Sequence, residues 1–124
     1  MADELTISIS ATYAKGNASE RSWSKTAKKI AISGNPLVAN IQSIGTSEEA
    51  IALGEVSGSL GWAYFENLDD TNYVEIRSAT GASNDIIRVD ARAAVLFRFG
   101  SDVTAPYAIA NTAAVLLDYV IFPA

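Results

Sequence analysis

The chain contains no cysteine and no histidine among its 124 residues. The first absence removes disulfides, thiolate nucleophiles and cysteine metal sites; the second removes the commonest metal ligand and the usual proton shuttle at neutral pH. A Ser-His-Asp hydrolase is therefore excluded by composition, and no Gly-x-Ser-x-Gly elbow occurs. Gly-x-x-x-x-Gly-Lys and Gly-x-Gly-x-x-Gly cradles for phosphates and dinucleotides are also missing. Positive charge is scarce, with nine Lys and Arg against fourteen Asp and Glu, a net charge of −5. A nucleic-acid partner is not expected, because affinity for phosphates comes from Lys and Arg displacing counterions. No apolar run approaches the roughly 20 residues that span a bilayer as a helix, so no membrane partner is expected either. The first residues, Met-Ala-Asp-Glu-Leu-Thr-Ile-Ser, offer neither a basic n-region nor an apolar h-region, which predicts a protein made in a cytoplasm. No cofactor and no metal are expected.

What is present is a succession of short β-like runs. Leu5 to Tyr13 alternates, with Leu5, Ile7, Ile9, Ala11 and Tyr13 on one face and Thr6, Ser8, Ser10 and Thr12 on the other, a half-buried strand. Residues 14–29 lose that pattern and turn polar and basic, which predicts an extended loop or arm. Through Ile32 there are five basic and three acidic residues, net +2, leaving the rest at net −7. Strand character resumes at Lys29–Ser33 and Leu37–Ile44 around a Gly34-Asn35-Pro36 turn. Thr46-Ser47-Glu48-Glu49 fits a helix capping box, but Gly54 leaves too little length, and a strand is preferred.

The organising stretch is Gly61–Ile76, which reads as a β-hairpin: aromatic and β-branched runs flank a polar segment suited to a turn. One face carries Ala63, Phe65, Val74 and Ile76, the other Trp62, Tyr64 and Tyr73. Ala91–Phe99 alternates again, with Ala93, Val95, Phe97 and Phe99 facing one way. Pro106 makes Tyr107–Ala110 short or peripheral. Ala113–Phe122 is apolar on both faces apart from Asp118, as suits a central strand or a face pressed on another subunit. Eight to ten strands at this spacing, almost without helix, predict a single-domain, all-β antiparallel sandwich, 1–124, with a polar N-terminal arm.

Few residues suggest chemistry. Glu66-Asn67-Leu68-Asp69-Asp70-Thr71-Asn72 is dense in oxygen ligands that suit calcium, yet it lacks EF-hand spacing, and Asn67, Asp69 and Asn72 are the residues turns select for their own bonds. Glu66 and Glu75, on the two arms of the hairpin, are the one pair that would serve a glycosidase. Trp23 amid Lys15, Arg21, Lys25, Lys28 and Lys29 reads as the aromatic anchor of a docking arm in preference to a nucleic-acid stacking platform, since Trp and Arg dominate interface hot spots and an acidic domain repels polyanions. Arg88, Arg92 and Arg98 are either solvated strand positions or partners in inter-subunit ion pairs.

Three stretches together carry a resemblance: Gly61-Trp62-x-Tyr64-x-x-Asn67-Leu68-Asp69-x-x-Asn72-Tyr73-Val74-Glu75-Ile76; Ile87-Arg88-Val89 with Leu96-Phe97-Arg98-Phe99; and Tyr107-Ala108-x-Ala110-Asn111-Thr112-Ala113-Ala114-Val115-Leu116-Leu117-Asp118-Tyr119-Val120-Ile121. With Ile44-Gly45-Thr46-x-Glu48-Glu49-Ala50-Ile51-Ala52-Leu53-Gly54-Glu55-Val56, this pattern resembles the small structural proteins of tailed bacteriophages, over roughly the last two-thirds of the chain. The resemblance implies a jelly-roll-like sandwich on the virion without catalysis, most like the capsid cement or decoration proteins, which are commonly trimers that bind the major capsid protein and themselves. In that reading the arm at Lys15, Arg21, Trp23, Lys25, Lys28 and Lys29, read from its own residues because the segment before about Lys29 lies outside the resemblance, would dock on the shell. Trp62, Tyr64, Tyr73, Arg88, Arg92, Arg98 and Tyr119 are the candidate subunit interface. The alternative within the same particle is a tail or baseplate adaptor that recognises a glycan through Trp62, Tyr64 and Tyr73.

Overall fold

The computed structural model describes residues 5–14, 16, 21–34 and 36–124, with the Arg21 side chain left aside. Lys15, one of the arm residues expected above, lies outside them. The chain divides into two units, Met1–Ser33 and Gly34–Ala124.

The first unit is a two-stranded antiparallel ribbon of β1 (Leu5–Tyr13) and β2 (Arg21–Ile30). Most of the segment expected as a loop is therefore strand. Its alternation is hidden because the ladder slips: Ile7 pairs with Lys28 but Ile9 pairs with Lys25, so Thr26 and Ala27 share the place opposite Ser8. This is a β-bulge, with Ala27 in the left-handed region at φ 57 and its N–H donating to Ser8 Oγ at 3.2 Å. The extra residue keeps Lys25 and Lys28, three positions apart, on one side of the ribbon with Ile7, Ile9, Ala11 and Trp23. The opposite side carries Thr6, Ser10 and Thr12 paired with Lys29, Ser24 and Ser22. Leu5 and Ile7 are buried, while Ile9, Tyr13 and Trp23 are exposed.

The second unit is a sandwich of eight strands: β3 (Val38–Ile44), β4 (Glu49–Ala50), β5 (Leu60–Asn67), β6 (Val74–Arg77), β7 (Asp85–Val89), β8 (Ala94–Arg98), β9 (Tyr107–Ala110) and β10 (Val115–Pro123). A single 3₁₀ turn at Ala82–Asn84 interrupts them, and no α-helix occurs among the described residues. Every pairing is antiparallel and nested, with β6 on β7, β5 on β8, β4 on β9 and β3 on β10, as if one long hairpin had been rolled up. Two further ladders, β10 on β5 and β9 on β6, close the roll into sheets ordered β3-β10-β5-β8 and β4-β9-β6-β7. This is jelly-roll connectivity.

The expected hairpin at Gly61–Ile76 is corrected by this topology. β5 and β6 do not pair; they belong to opposite sheets, and the polar segment between them crosses from one to the other. The face assignment survives, since Ala63, Phe65, Val74 and Ile76 are all fully buried, but they meet across the sandwich instead of side by side. β10 runs in the interior of its sheet, between β3 and β5, and buries Val115, Leu117, Tyr119 and Ile121. β9 is short, as Pro106 requires, yet lies between β4 and β6.

Between the sheets, Phe65 packs on Tyr119, Phe97 and Phe99 with ring centroids 5.8, 5.8 and 6.2 Å apart. Such pairs add about 0.5–1.5 kcal/mol beyond the area they bury. Two polar side chains fasten the sheets. Gln42 of β3 donates to Ala50 O at 3.0 Å and accepts from Ala52 N–H at 2.9 Å, serving as a rung where the backbone ladder is absent. Asn67, fully buried at the end of β5, donates to Asn72 O at 2.8 Å and Val89 O at 3.1 Å and accepts from Asp69 N–H at 2.9 Å.

Candidate interaction surface

The alternation that fills the core leaves two outer faces of different chemistry. On the β4-β9-β6-β7 sheet the outer face is a charge network centred on Arg77, only 8% exposed. Its guanidinium meets Glu48 at 2.7 Å and Asp85 at 2.6 Å, with Glu75 at 3.9 Å. A ladder slip creates this set: Ile76 opposes Ile87 but Arg77 opposes Asp85, so skipping Ile86 turns Asp85 toward the arginine. Glu48, from the segment read as a strand in preference to a helix start, also accepts Gly81 N–H at 2.8 Å. The bonds from Arg77 and then Gly81 hold its carboxyl below the ordinary glutamate range. On the same face the Arg88 guanidinium lies 3.7 Å from the Tyr73 ring centroid, a cation–π contact, and pairs with Asp90.

The outer face of the β3-β10-β5-β8 sheet is mostly apolar. Strand register brings Ala39, Val120, Tyr64 and Leu96 into one row, and Ile41, Asp118, Glu66 and Ala94 into the next. Leu116 extends the surface toward one end, and Phe122 with Trp62 toward the other. Ile41 is 54% and Leu116 52% exposed. A contiguous apolar surface of this kind marks an interaction site in soluble proteins. Within it Glu66 and Asp118 stand directly opposite each other, and no cation forms an ion pair with either among the described residues. Tyr64 donates its hydroxyl to Glu66 at 3.0 Å, and burial first, then that bond, push the phenol's pKa up.

The interface residues expected from the resemblance are thus distributed over both faces. Trp62, Tyr64 and Arg98 share the apolar face, where Trp62 pairs with Arg98. Tyr73 and Arg88 belong to the other face, so the three aromatics proposed as a glycan platform do not assemble. Arg92 lies in the connection from β7 to β8 at φ 62 and pairs with Asp70, joining two loops at one end of the roll. Tyr119 is corrected outright. It is fully buried, and its hydroxyl donates to Ala52 O at 2.6 Å and accepts from Asn40 Nδ2 at 3.4 Å. Burial raises its pKa, and a side chain enclosed in this way cannot form a subunit contact.

Glu66 and Glu75 are separated as well. Each is flanked by buried neighbours, Phe65 and Asn67 for the first, Val74 and Ile76 for the second, so they point away from the core on opposite sheets. With sheets about 10 Å apart between them, they cannot flank one glycosidic bond. The acidic connection at residues 67–72 makes turn bonds: Asp69 accepts from Thr71 N–H at 3.0 Å and Asn72 N–H at 2.7 Å, the latter bond contributing most to holding its pKa down. No group of three or more acidic residues that would hold a metal occurs among the described residues. A shallow cleft of about 150 Å³ beside this connection is lined by Glu66, Asn67, Leu68 and Arg92. Asn67 is spent on structural bonds and Arg92 on Asp70, so the cleft offers no convergent catalytic set.

In the ribbon, Trp23 is 52% exposed on β2 beside Ala11, with Lys25 on the same side and Lys29 on the other. The residues that sequence reasoning did not single out are Ile41, Leu116, Asp118 and Val120. The apolar outer positions of the last strand were the available signal. No family model, curated protein or solved structure matches this chain.

Proposed function

We propose that this chain is a non-enzymatic structural protein of a bacteriophage particle, a cement or decoration protein that stabilises the shell by binding the major capsid protein and itself, as a homotrimer. The observation that carries the reading is the mostly apolar outer face of the β3-β10-β5-β8 sheet of the jelly-roll unit, on which Ile41 and Leu116 are more than half exposed. A rigid roll with one adhesive face suits repeated attachment to a lattice, where many weak contacts add through multivalency. The resemblance across Gly61–Ile76 and the last strand supplies the phage context. Ribbon residues Trp23, Lys25, Lys28 and Lys29 present the side chains of a docking arm.

Antibody labelling of particles from the lysates in which the chain is produced tests the proposal. Label distributed over the shell is expected. A single focus at the tail would move the protein to a tail or baseplate adaptor, and the absence of label from particles would overturn a virion role.

A further inference from the structure

The apolar sheet face poses a specific electrostatic problem. Glu66 and Asp118 face each other across adjacent strands with their Cβ atoms about 5 Å apart, an arrangement that disfavours pairing when nothing neutralises it. The basic residues of the sandwich cannot help. All four are arginines: Arg77, Arg88 and Arg92 are engaged by Glu48, Asp90 and Asp70, and Arg98 stands opposite Trp62, four residues along β8 from the Ala94 that opposes Glu66.

The ribbon carries the complementary arrangement. On the side that bears Ile9 and Trp23, the bulge sets Lys25 and Lys28 at adjacent same-face positions, about 7 Å apart along the strand. Aromatic and aliphatic groups surround two ammonium groups there, as aromatic and aliphatic groups surround two carboxylates on the sheet. The lengths agree too. β1 and β10 each run nine residues, about 30 Å of strand. The net charges of the two segments, +2 through Ile32 and −7 beyond it, have opposite signs.

We propose that the β3-β10-β5-β8 outer face receives the β1–β2 ribbon of a second copy of this chain, with Lys25 and Lys28 seated over Glu66 and Asp118 and Trp23 against the surrounding apolar side chains. This rests on and deepens the self-association part of the function proposed above, giving to a second copy the ribbon residues named there as a docking arm, and leaves other surfaces to the capsid part. A chain that assembles through its ribbon and ignores shells would overturn only the latter.

The test is the mass of the full chain in solution across a dilution series, for four versions. The natural chain is expected to form an oligomer. Lys25→Glu with Lys28→Glu, and separately Glu66→Lys with Asp118→Lys, are each expected to weaken assembly at least tenfold, the effect of about 1.4 kcal/mol or more of lost pairing. The four substitutions combined in one chain restore opposite charges and are expected to restore the oligomer. A natural chain that stays monomeric at all concentrations, a mass unmoved by either reversal, or a combined variant as dissociated as the reversals would each overturn the proposal. A second measurement does not depend on how the reversals fold. In this cysteine-free chain, Lys25→Cys and Glu66→Cys variants mixed under oxidation are expected to give the mixed disulfide in clear excess over either homodimer. A statistical distribution of the three products would overturn the proposal.

Discussion

Asp118 stands directly opposite Glu66 in the β10–β5 ladder, two carboxylates that form an ion pair with no cation among the described residues, on a mostly apolar surface. A protein selected only for the stability of one isolated copy would gain by replacing either. Asp118→Asn is expected to stabilise the dilute protein by about 0.2–1 kcal/mol, the range of cross-strand pair effects. Thermal unfolding at a concentration below that of assembly checks the sign, and the same variant should assemble less well than the natural chain.

Asn67 carries the crossing between the sheets. Its amide donates to Asn72 O and Val89 O, both of which lose that partner when the side chain is removed. Asn67→Ala is expected to destabilise the fold by roughly 2–4 kcal/mol, combining unsatisfied buried carbonyls with a small cavity. Denaturant unfolding measures it, and Asn67→Asp should fare no better, because a carboxylate cannot donate to two carbonyls.

Acid should loosen the protein through two carboxylates whose pKa is lowered in the folded state. Glu48 is held down by Arg77 and the Gly81 N–H, Asp69 by the Asn72 and Thr71 N–H groups. A depressed folded pKa gives stability that is complete above the ordinary values near 4.5 and 3.8 and is lost as pH falls through the lowered ones. The melting temperature should therefore be flat above about pH 5 and fall below about 4. Glu48→Gln should melt below the natural chain at neutral pH, with the difference closing as pH falls. A gap that widens on acidification would contradict this assignment.

Gly61 shares a bulge with Trp62 opposite Phe122, and a Cβ at this position would lie 2.6 Å from Pro123 O and 3.2 Å from Ala124 Cα. The obstacle is backbone, which cannot swing aside as a side chain can. Gly61→Ala is expected to cost about 1–3 kcal/mol as an overpacking substitution. Gly58→Ala, where nothing lies within 4 Å but φ is +73, provides the comparison in which only backbone strain acts.

Trp23 is half exposed on the ribbon. Trp23→Ala is expected to leave the thermal stability within about 0.5 kcal/mol of the natural chain while weakening assembly. Loss of stability with unchanged assembly would place the indole in packing instead of docking.

Alternation of side chains made much of this fold legible. It put Ala63, Phe65, Val74 and Ile76 on one face and Phe99 with Ala93, Val95 and Phe97 on another, sets that the fold turns inward, and showed that the last strand had two apolar faces. What alternation cannot convey is which strand pairs with which, because period two fixes a face and is silent about the neighbour. Hence β5 and β6, joined by turn-forming residues, read as a hairpin although they belong to different sheets. The second strand of the ribbon was hidden for a related reason: one extra residue at Ala27 breaks the period, so Trp23, Lys25 and Lys28 looked patternless. Tyr119 read as an interface residue because the last strand is apolar on both faces, as suits a face pressed on another subunit. Its partners, Asn40 and Ala52, are far upstream, and only the rolled topology brings them to its hydroxyl.

The nested pairing of the roll also sets an order in time. The β6–β7 ladder joins residues 74–77 to 85–89 and closes a short loop, whereas β3 on β10 must bring residue 38 to residue 121. Each inner ladder, once formed, shortens the span that the next must close, so the entropy of closure falls stepwise from the inside outward. Folding is expected to run as a zipper that starts beside Arg77 and finishes with β10 inserted between β3 and β5. Mutational effects on the folding rate, large at Ile76 and small at Leu117, would check that order. The last strand to settle is the one that carries Asp118, so the adhesive face is completed only when the roll is closed.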